Sequence, residues 1–350
     1  MESYTPITII GFGVAGQLLL SYILTELPPN KITIVDPDFI GGDLARSYSA
    51  INSNTTIDQT ITSLTRLETA KDWSRAIESL NARGPRSALI NLGNLSADLR
   101  QVGHYLASKC NTIYDRVSGL EWDELSKRWI LSYKKGSKTQ TSIVCFCIGM
   151  IPRQEDYSIP TIPLSIALDS SQIYRLIQPG KNVLVVGSAH SATLVLRNLF
   201  TIPDISITCM HRGQKPFKFA RDNAYDGIKQ ESAEIADAIL SGQYKNLDLV
   251  CATDYKAVSK AMRQADWIVQ ATGFDPVFPT IGVDAKTVQP EWNAVQGTAI
   301  GLQNLHAFGA CVPSTSVIDG KIYPDISVGF FVDQLIARWP ILKIVIHELN

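Results

Sequence analysis

The residues whose types and spacing carry the most chemistry are three glycines and an aspartate near the N-terminus. Ile7-Thr8-Ile9-Ile10 ends in Gly11-Phe12-Gly13-Val14-Ala15-Gly16, and an apolar segment from Gln17 to about Leu27 follows. A Gly-x-Gly-x-x-Gly turn between a strand and a helix suits a pyrophosphate. Its first glycine makes the tight turn, its second lets backbone approach phosphate, and its third lets helix and strand pack closely. The helix start adds free N–H groups and the positive end of a dipole. The next run, Lys31 to Val35, closes on Asp36, about 20 residues beyond Gly16, where a carboxylate accepts the hydroxyls of an adenosine ribose. These pieces make one βαβ unit with an adenosine-diphosphate site.

The pattern repeats once. Asn182 to Val186 reads as a strand, Gly187-Ser188-Ala189-His190-Ser191-Ala192 as the turn, Thr193 to about Phe200 as the helix, and Ile205 to Met210 as the second strand. Ala189 and Ala192 replace the later glycines, and the Ala189 methyl narrows the approach to the helix start. Here the second strand ends not in an acid but in His211-Arg212-Gly213-Gln214-Lys215-Pro216-Phe217-Lys218. Cations at Arg212, Lys215 and Lys218 suit the 2′-phosphate of NADP and favour it over NAD. A solvated basic loop is the alternative reading of the same residues.

Around these turns the sequence must supply a scaffold. With 350 residues, 45% hydrophobic and 19% charged, it can bury two cores. A net charge of −1, with both signs mixed along the chain, gives no footprint for nucleic acid or an anionic membrane. The start of the chain lacks signal-peptide character, and no apolar run is long enough to span a bilayer, so a cytoplasmic protein is expected. The six cysteines show no Cys-x-x-Cys spacing, which argues against disulfide exchange and a zinc site. Cys145 and Cys147 share one face of a strand and read as core packing. His104, His306 and His347 have no metal-ligand spacing, and no metal is expected.

Further motifs follow in order: Cys147-Ile148-Gly149-Met150-Ile151-Pro152-Arg153, then the Gly187 turn, then Ala271-Thr272-Gly273-Phe274-Asp275-Pro276. The whole series resembles the flavoproteins with two dinucleotide-binding domains, a superfamily that includes thioredoxin reductases, flavin-containing monooxygenases and the lysine and ornithine N-hydroxylases. The resemblance covers nearly the whole chain. It implies an α/β fold in which an FAD-binding Rossmann-like domain of three ββα layers, residues 1–165 and 276–350, carries an inserted NAD(P)-binding Rossmann-like domain, residues 166–275. A helix from Leu95 to Ser108 and a β-meander with strands around Thr112 to Val117, Trp129 to Tyr133 and Ser142 to Ile148 belong to that layout.

The resemblance implies FAD contacts at Gly11, Gly13, Val14, Ala15, Gly16, Asp36, Gly42, Asn54, Val117, Gly149, Gly309, Asp325 and Val328. The nicotinamide cofactor falls to Gly187, Ala189, His190, Ser191, Ala192, Arg212, Lys215, Lys218 and Gly273. Two departures stand out. Ala310 follows Gly309 where the family usually has an aspartate, and the redox Cys-x-x-Cys of thioredoxin reductases is missing. Asp325 reads as an N-cap or flavin-side residue at the head of an apolar helix running to about Trp339, and the segment from Trp339 to Ile346 can cover its own core or a second copy in a homodimer. The implied activity is hydride transfer from NAD(P)H to flavin, with a small-molecule substrate or electron acceptor and no catalytic side chain assigned. A monooxygenase and a reductase are the leading readings. A dinucleotide-binding sensor or scaffold without turnover is the alternative.

Overall fold

The computed structural model describes residues 3–213, 215–217, 230–318 and 321–349. Its two larger sheets are each organised around one of the glycine turns. In the first sheet the strand Ser3–Ile10 lies between Ile32–Val35 and Lys138–Phe146, parallel to both, and Asn111–Ile113 extends the parallel edge. The Lys138–Phe146 strand continues antiparallel through Arg128–Tyr133 to Val117–Asp123, which is the meander. The predicted strand from Thr112 to Val117 is therefore two: Asn111–Ile113 joins the parallel part, and Val117 begins the meander. Asp115 explains the break. Its carboxylate accepts from the Arg116 and Lys135 amides at 2.7 and 3.1 Å, fixing a turn between the two strands.

The second sheet is wholly parallel, in the order Thr161–Ile162, Trp267–Gln270, Asn182–Val186, Ser206–His211 and Leu247–Cys251. Its edge strand Thr161–Ile162 is also its first in chain order. In both sheets the strand that feeds the glycine turn sits between neighbours reached by opposite crossovers. That is the topological switch point at which open α/β sheets bind ligands.

The helices follow from burial. Val14–Glu26 is apolar nearly all round because it is enclosed: Val14 through Ile23 are buried, against Leu92–Ala107 and the C-terminal helix Val328–Glu348. The C-terminal helix runs well past Trp339 and holds Pro340 within it. Trp339, Leu342 and Ile346 pack into the first core, with Trp339 edge-on to Tyr22 at 5.3 Å, so this face of the segment covers its own chain. Cys145 and Cys147 are buried in the same core, as their alternation predicts. All six thiols are free.

Two short crossings join the units. Ile151–Pro152 leaving the first sheet and Phe274–Asp275 returning to it pair as an antiparallel ribbon. Arg153 grips Asp275 with two hydrogen bonds of 2.6 and 2.8 Å across that ribbon. Beside it Ile51, Tyr48 and Leu92 of the first unit join the core of the second, and Tyr48 meets Phe274 edge-on at 6.1 Å. No helix among the described residues is long and apolar enough to cross a membrane.

Candidate functional site

The first glycine turn is fixed by contacts that exclude larger residues. Gly11 has φ +94°, and a Cβ on it would lie 2.4 Å from the Cys147 carbonyl oxygen. A Cβ on Gly16 would lie 2.2 Å from the Gly11 carbonyl oxygen. Gly13 is different. A Cβ there would meet nothing closer than 3.7 Å, at Gly42, so its lack of a side chain is not demanded by the protein's own packing. What it leaves open is the approach to the helix behind it. That helix has Gly13 as its N-cap with no side-chain cap and no acid in its first turn. The Val14, Ala15 and Gly16 amides are thus available to an anion.

Asp36 is 5% exposed and holds the turn together. One carboxylate oxygen accepts from the Phe12 amide at 2.8 Å, and the other from the amides of Asp38 at 3.1 Å and Phe39 at 2.8 Å. A carboxylate has about four lone-pair sites, so about one is left for a ribose hydroxyl. The sequence predicts a ribose acceptor; the structure adds that the same residue staples the glycine turn to the next loop.

Gly41 and Gly42, at φ +100° and +73°, bring that loop across the turn, where a Cβ on Gly42 would lie 2.8 Å from the Gly13 Cα. Asp43 follows, ion-paired to Arg46 at 2.8 Å, and Arg46 also holds Asp38 at 2.7 Å. Protein packed around Asp43 pushes its carboxyl up, against the pull of Arg46. One of its oxygens lies 3.4 Å from where a Gly149 Cβ would stand, which brings the Gly42 loop and the first crossing to the same place. Gly149 itself has φ +70°.

Gly309, at φ +79°, abuts the same helix: a Cβ on it would lie 2.5 Å from the Ala15 Cβ. Val117 is half-buried at the start of the meander, and Val328 is buried at the first position of the C-terminal helix. The cap of that helix is Ser327, which accepts from the Phe330 amide at 3.3 Å. Asp325 is not the cap. It lies two residues upstream, buried, taking the Ser316 hydroxyl at 2.8 and 2.9 Å and so tying down the hairpin Thr315–Ile318/Lys321–Pro324.

In the second unit Gly187 has φ +119°, and a Cβ there would lie 2.3 Å from the Ala271 carbonyl oxygen. Ala189 is the N-cap of the helix His190–Leu199, again with no side-chain cap and no acid in the first turn. Ser191 is half-buried and Ala192 fully buried within it. The missing glycines therefore leave this helix start, like the first, without a side-chain cap. Arg212 and Lys215 are exposed beyond the second strand; Lys218 lies outside the described residues. His211 is held by the Gly213 carbonyl at 2.8 Å. Gly273, at φ +106°, ends the Trp267–Gln270 strand, and its carbonyl accepts from the Arg153 amide at 2.8 Å. Asn54, on the strand Asn52–Thr56, lines a small cavity with His190, Glu231 and Ser232, so this strand of the first unit and the helix start of the second face one space.

Sequence reasoning missed Gln334 and Arg338, which grip the Gly309 turn from behind; an arginine amid an apolar stretch is the signal that points to them. It also missed the Arg153–Asp275 clamp, although both residues stand in the motifs it quoted.

No family model matches the chain. Among solved structures, a flavin-containing monooxygenase from Stenotrophomonas maltophilia superposes with a TM-score of 0.62 at 13% identity, over 99% of each chain. A cyclohexanone monooxygenase from Rhodococcus sp. Phi1 bound to NADP+ gives 0.62 at 13%, over 99% of this chain and 85% of that one. The bacillithiol disulfide reductase of Staphylococcus aureus gives 0.61 at 10%, over 99% of both. The chain shares its fold with these flavin-dependent and NADP+-bound monooxygenases and with that disulfide reductase. In sequence, the chain is similar to monooxygenase AgnR1 of Paecilomyces divaricatus, 24% identical over an alignment 395 positions long that takes in 95% of this chain and 97% of that protein.

Proposed function

We propose that the protein is an FAD-dependent oxidoreductase that draws hydride from NADPH, and that it works as a monooxygenase on a small-molecule substrate. One observation carries this reading: two uncapped, acid-free helix starts stand at the switch points of two parallel sheets, on units clamped together at their crossings. The first start would hold the FAD pyrophosphate, with Asp36 on the ribose. The second would hold NADPH, with Arg212 and Lys215 toward its 2′-phosphate. We assign the first sheet with the C-terminal helix to FAD and the intervening sheet to NADP. When bound, the flavin would supply the electron acceptor for hydride and the means of activating oxygen.

The chain's own residues bind, orient and exclude water. Gly11 and Gly16 set the turn, and Gly13 with Gly42 leaves backbone alone beside the phosphates. The Arg153–Asp275 clamp and the Tyr48–Phe274 contact fix where the second unit meets the first, which is the requirement for placing two stacked rings at reacting distance. Oxygenation is favoured over disulfide reduction by similarity along almost the full length to a protein named a monooxygenase. We place the protein in the cytosol, where its free thiols are stable.

Purified protein reconstituted with FAD is expected to be yellow and to bleach under anaerobic NADPH. Re-aeration with candidate ketones, amines and sulfides under ¹⁸O₂ is expected to place one labelled oxygen in a product. A colourless protein that takes up no flavin sinks the proposal. A yellow protein that NADPH does not bleach makes it a binding protein instead, and rapid reduction of acceptors without label makes it a reductase.

A further inference from the structure

The C-terminal helix carries one cation into the core. Arg338 is 1% exposed, and its guanidinium donates to the carbonyl oxygens of Ala307 at 2.8 Å, Val312 at 2.9 Å and Ala294 at 2.5 Å, and to Oε1 of Gln334 at 3.3 Å. Among the described residues no carboxylate lies within ion-pair distance of it, and its Nε has no partner. Space is reserved for the side chain: a Cβ on Gly297, at φ +68°, would lie 2.6 Å from the Arg338 Cδ. Burial lowers the pKa of Arg338 to about 10, so it is still charged at neutral pH.

Carbonyl dipoles satisfy its donors without cancelling its charge. A buried charge normally comes with a partner of opposite sign, because desolvating an unpaired one costs several kcal/mol. The place of this charge in the fold shows where a partner would come from. Gln334, one helical turn earlier, accepts from the Gly309 amide at 2.8 Å and donates to the Gly309 and Val312 carbonyls at 3.4 Å each. Gly309 in turn lies against Ala15, in the first turn of the helix behind the glycine fingerprint. Arg338 and Gln334 therefore grip, from the inside, the turn that borders the open helix start. Ala310 and Cys311 follow Gly309, so the turn has no negative charge of its own.

We propose that Arg338 is a positioning residue of the dinucleotide site whose counter-charge is the bound pyrophosphate. With Gln334 it sets the Gly309 turn against the helix start, and its charge adds to the helix dipole in favouring an anion there. This rests on the FAD reading above.

The test is titration of the flavin-free full-length protein with FAD, ADP and adenosine by calorimetry, for the native chain, Arg338→Met and Arg338→Lys. Arg338→Met is expected to weaken FAD and ADP by about tenfold while adenosine, which carries no phosphate, moves by less than about twofold; tenfold corresponds to about 1.4 kcal/mol. Arg338→Lys keeps the charge and is expected to stay within about threefold of native for ADP. Equal losses for ADP and adenosine, or no loss for either, overturn the proposal, since a purely structural role would not distinguish the two ligands. If Arg338→Met does not fold, Arg338→Gln, which keeps donors for the carbonyls and drops the charge, takes its place: a loss for ADP without one for adenosine supports the proposal, and equal losses or none overturn it. A native chain that binds neither FAD nor ADP overturns the FAD reading and this inference together. A native chain that binds both, with an indifferent Arg338→Met, overturns this inference alone.

Discussion

Asp36 offers the sharpest test, because the structure gives it two jobs. Replacing it with alanine removes an acceptor from three buried or half-buried amides, those of Phe12, Asp38 and Phe39. Hydrogen bonds to a charged group are worth about 1.5–3 kcal/mol each, and leaving such donors unmet costs similarly. Relaxation and water entry recover part of that sum, so the loss is about 3–5 kcal/mol, a large share of the roughly 5–15 kcal/mol that holds a domain folded. With a urea slope of about 3 kcal/mol per M, the unfolding midpoint of the flavin-free protein should fall by about 1–1.7 M. Asp36→Asn keeps one oxygen and should fall between the two. FAD binding, measured by flavin fluorescence where each variant is still fully folded, should weaken as well, through the ribose. An alanine variant that unfolds at the native midpoint would show that Asp36 is no staple. A destabilised but folded variant with native FAD affinity would refute its ribose role.

The other predictions are independent of that residue. Gly13→Ala should leave the stability of the flavin-free chain within about 1 kcal/mol of native, since its Cβ meets nothing closer than 3.7 Å, yet abolish flavin retention; Gly16→Ala, 2.2 Å from a carbonyl oxygen, should compromise folding itself, and thermal melts with flavin content separate the two. Arg212→Ala should raise KM for NADPH about tenfold and leave NADH nearly unchanged in a steady-state assay, because only NADPH carries the 2′-phosphate. Stability should fall with acid in two steps. Buried His306 has its pKa lowered to about 4, so the unfolded chain binds the proton first, and stability is lost as pH drops from about 6.5 toward 4; His306→Phe should flatten that window. Glu26, bonded to Lys343 at 2.6 Å and His347 at 2.8 Å, has its pKa lowered to about 2, so its contribution is complete above about 4.5 and is lost as pH falls toward 2; Glu26→Gln should flatten the lower window. Urea midpoints at half-unit pH intervals read both.

Local features were legible where neighbouring residues decide the outcome. The two glycine turns, the strands on either side and the helices behind them follow from β-branched runs, backbone freedom at Gly11 and Gly187, and short-range order. Boundaries failed where a distant partner intervenes. The strand predicted from Thr112 to Val117 is split by Asp115, whose acceptor role needs Lys135 of another strand. The C-terminal helix continues through Pro340 because Trp339, Leu342 and Ile346 have a core to pack against, and no local signal contains that core. Ser327 rather than Asp325 caps it, because the helix starts at Val328 and leaves Asp325 two residues upstream of the cap, bonded to Ser316 of the neighbouring hairpin.

By itself, then, the sequence determined the two glycine turns, their order along the chain and the acid or cations that follow each. Those are properties of chain lengths of about 30 residues, within reach of spacing and periodicity. The tertiary structure alone decided what surrounds them. It put Asp36 on three amides, Arg153 on Asp275, Gly42 across Gly13, and an unpaired Arg338 behind the Gly309 turn. Each of these joins segments from different elements, some more than 100 residues apart, and burial with hydrogen bonding across such distances is fixed only when the sheets and helices are packed.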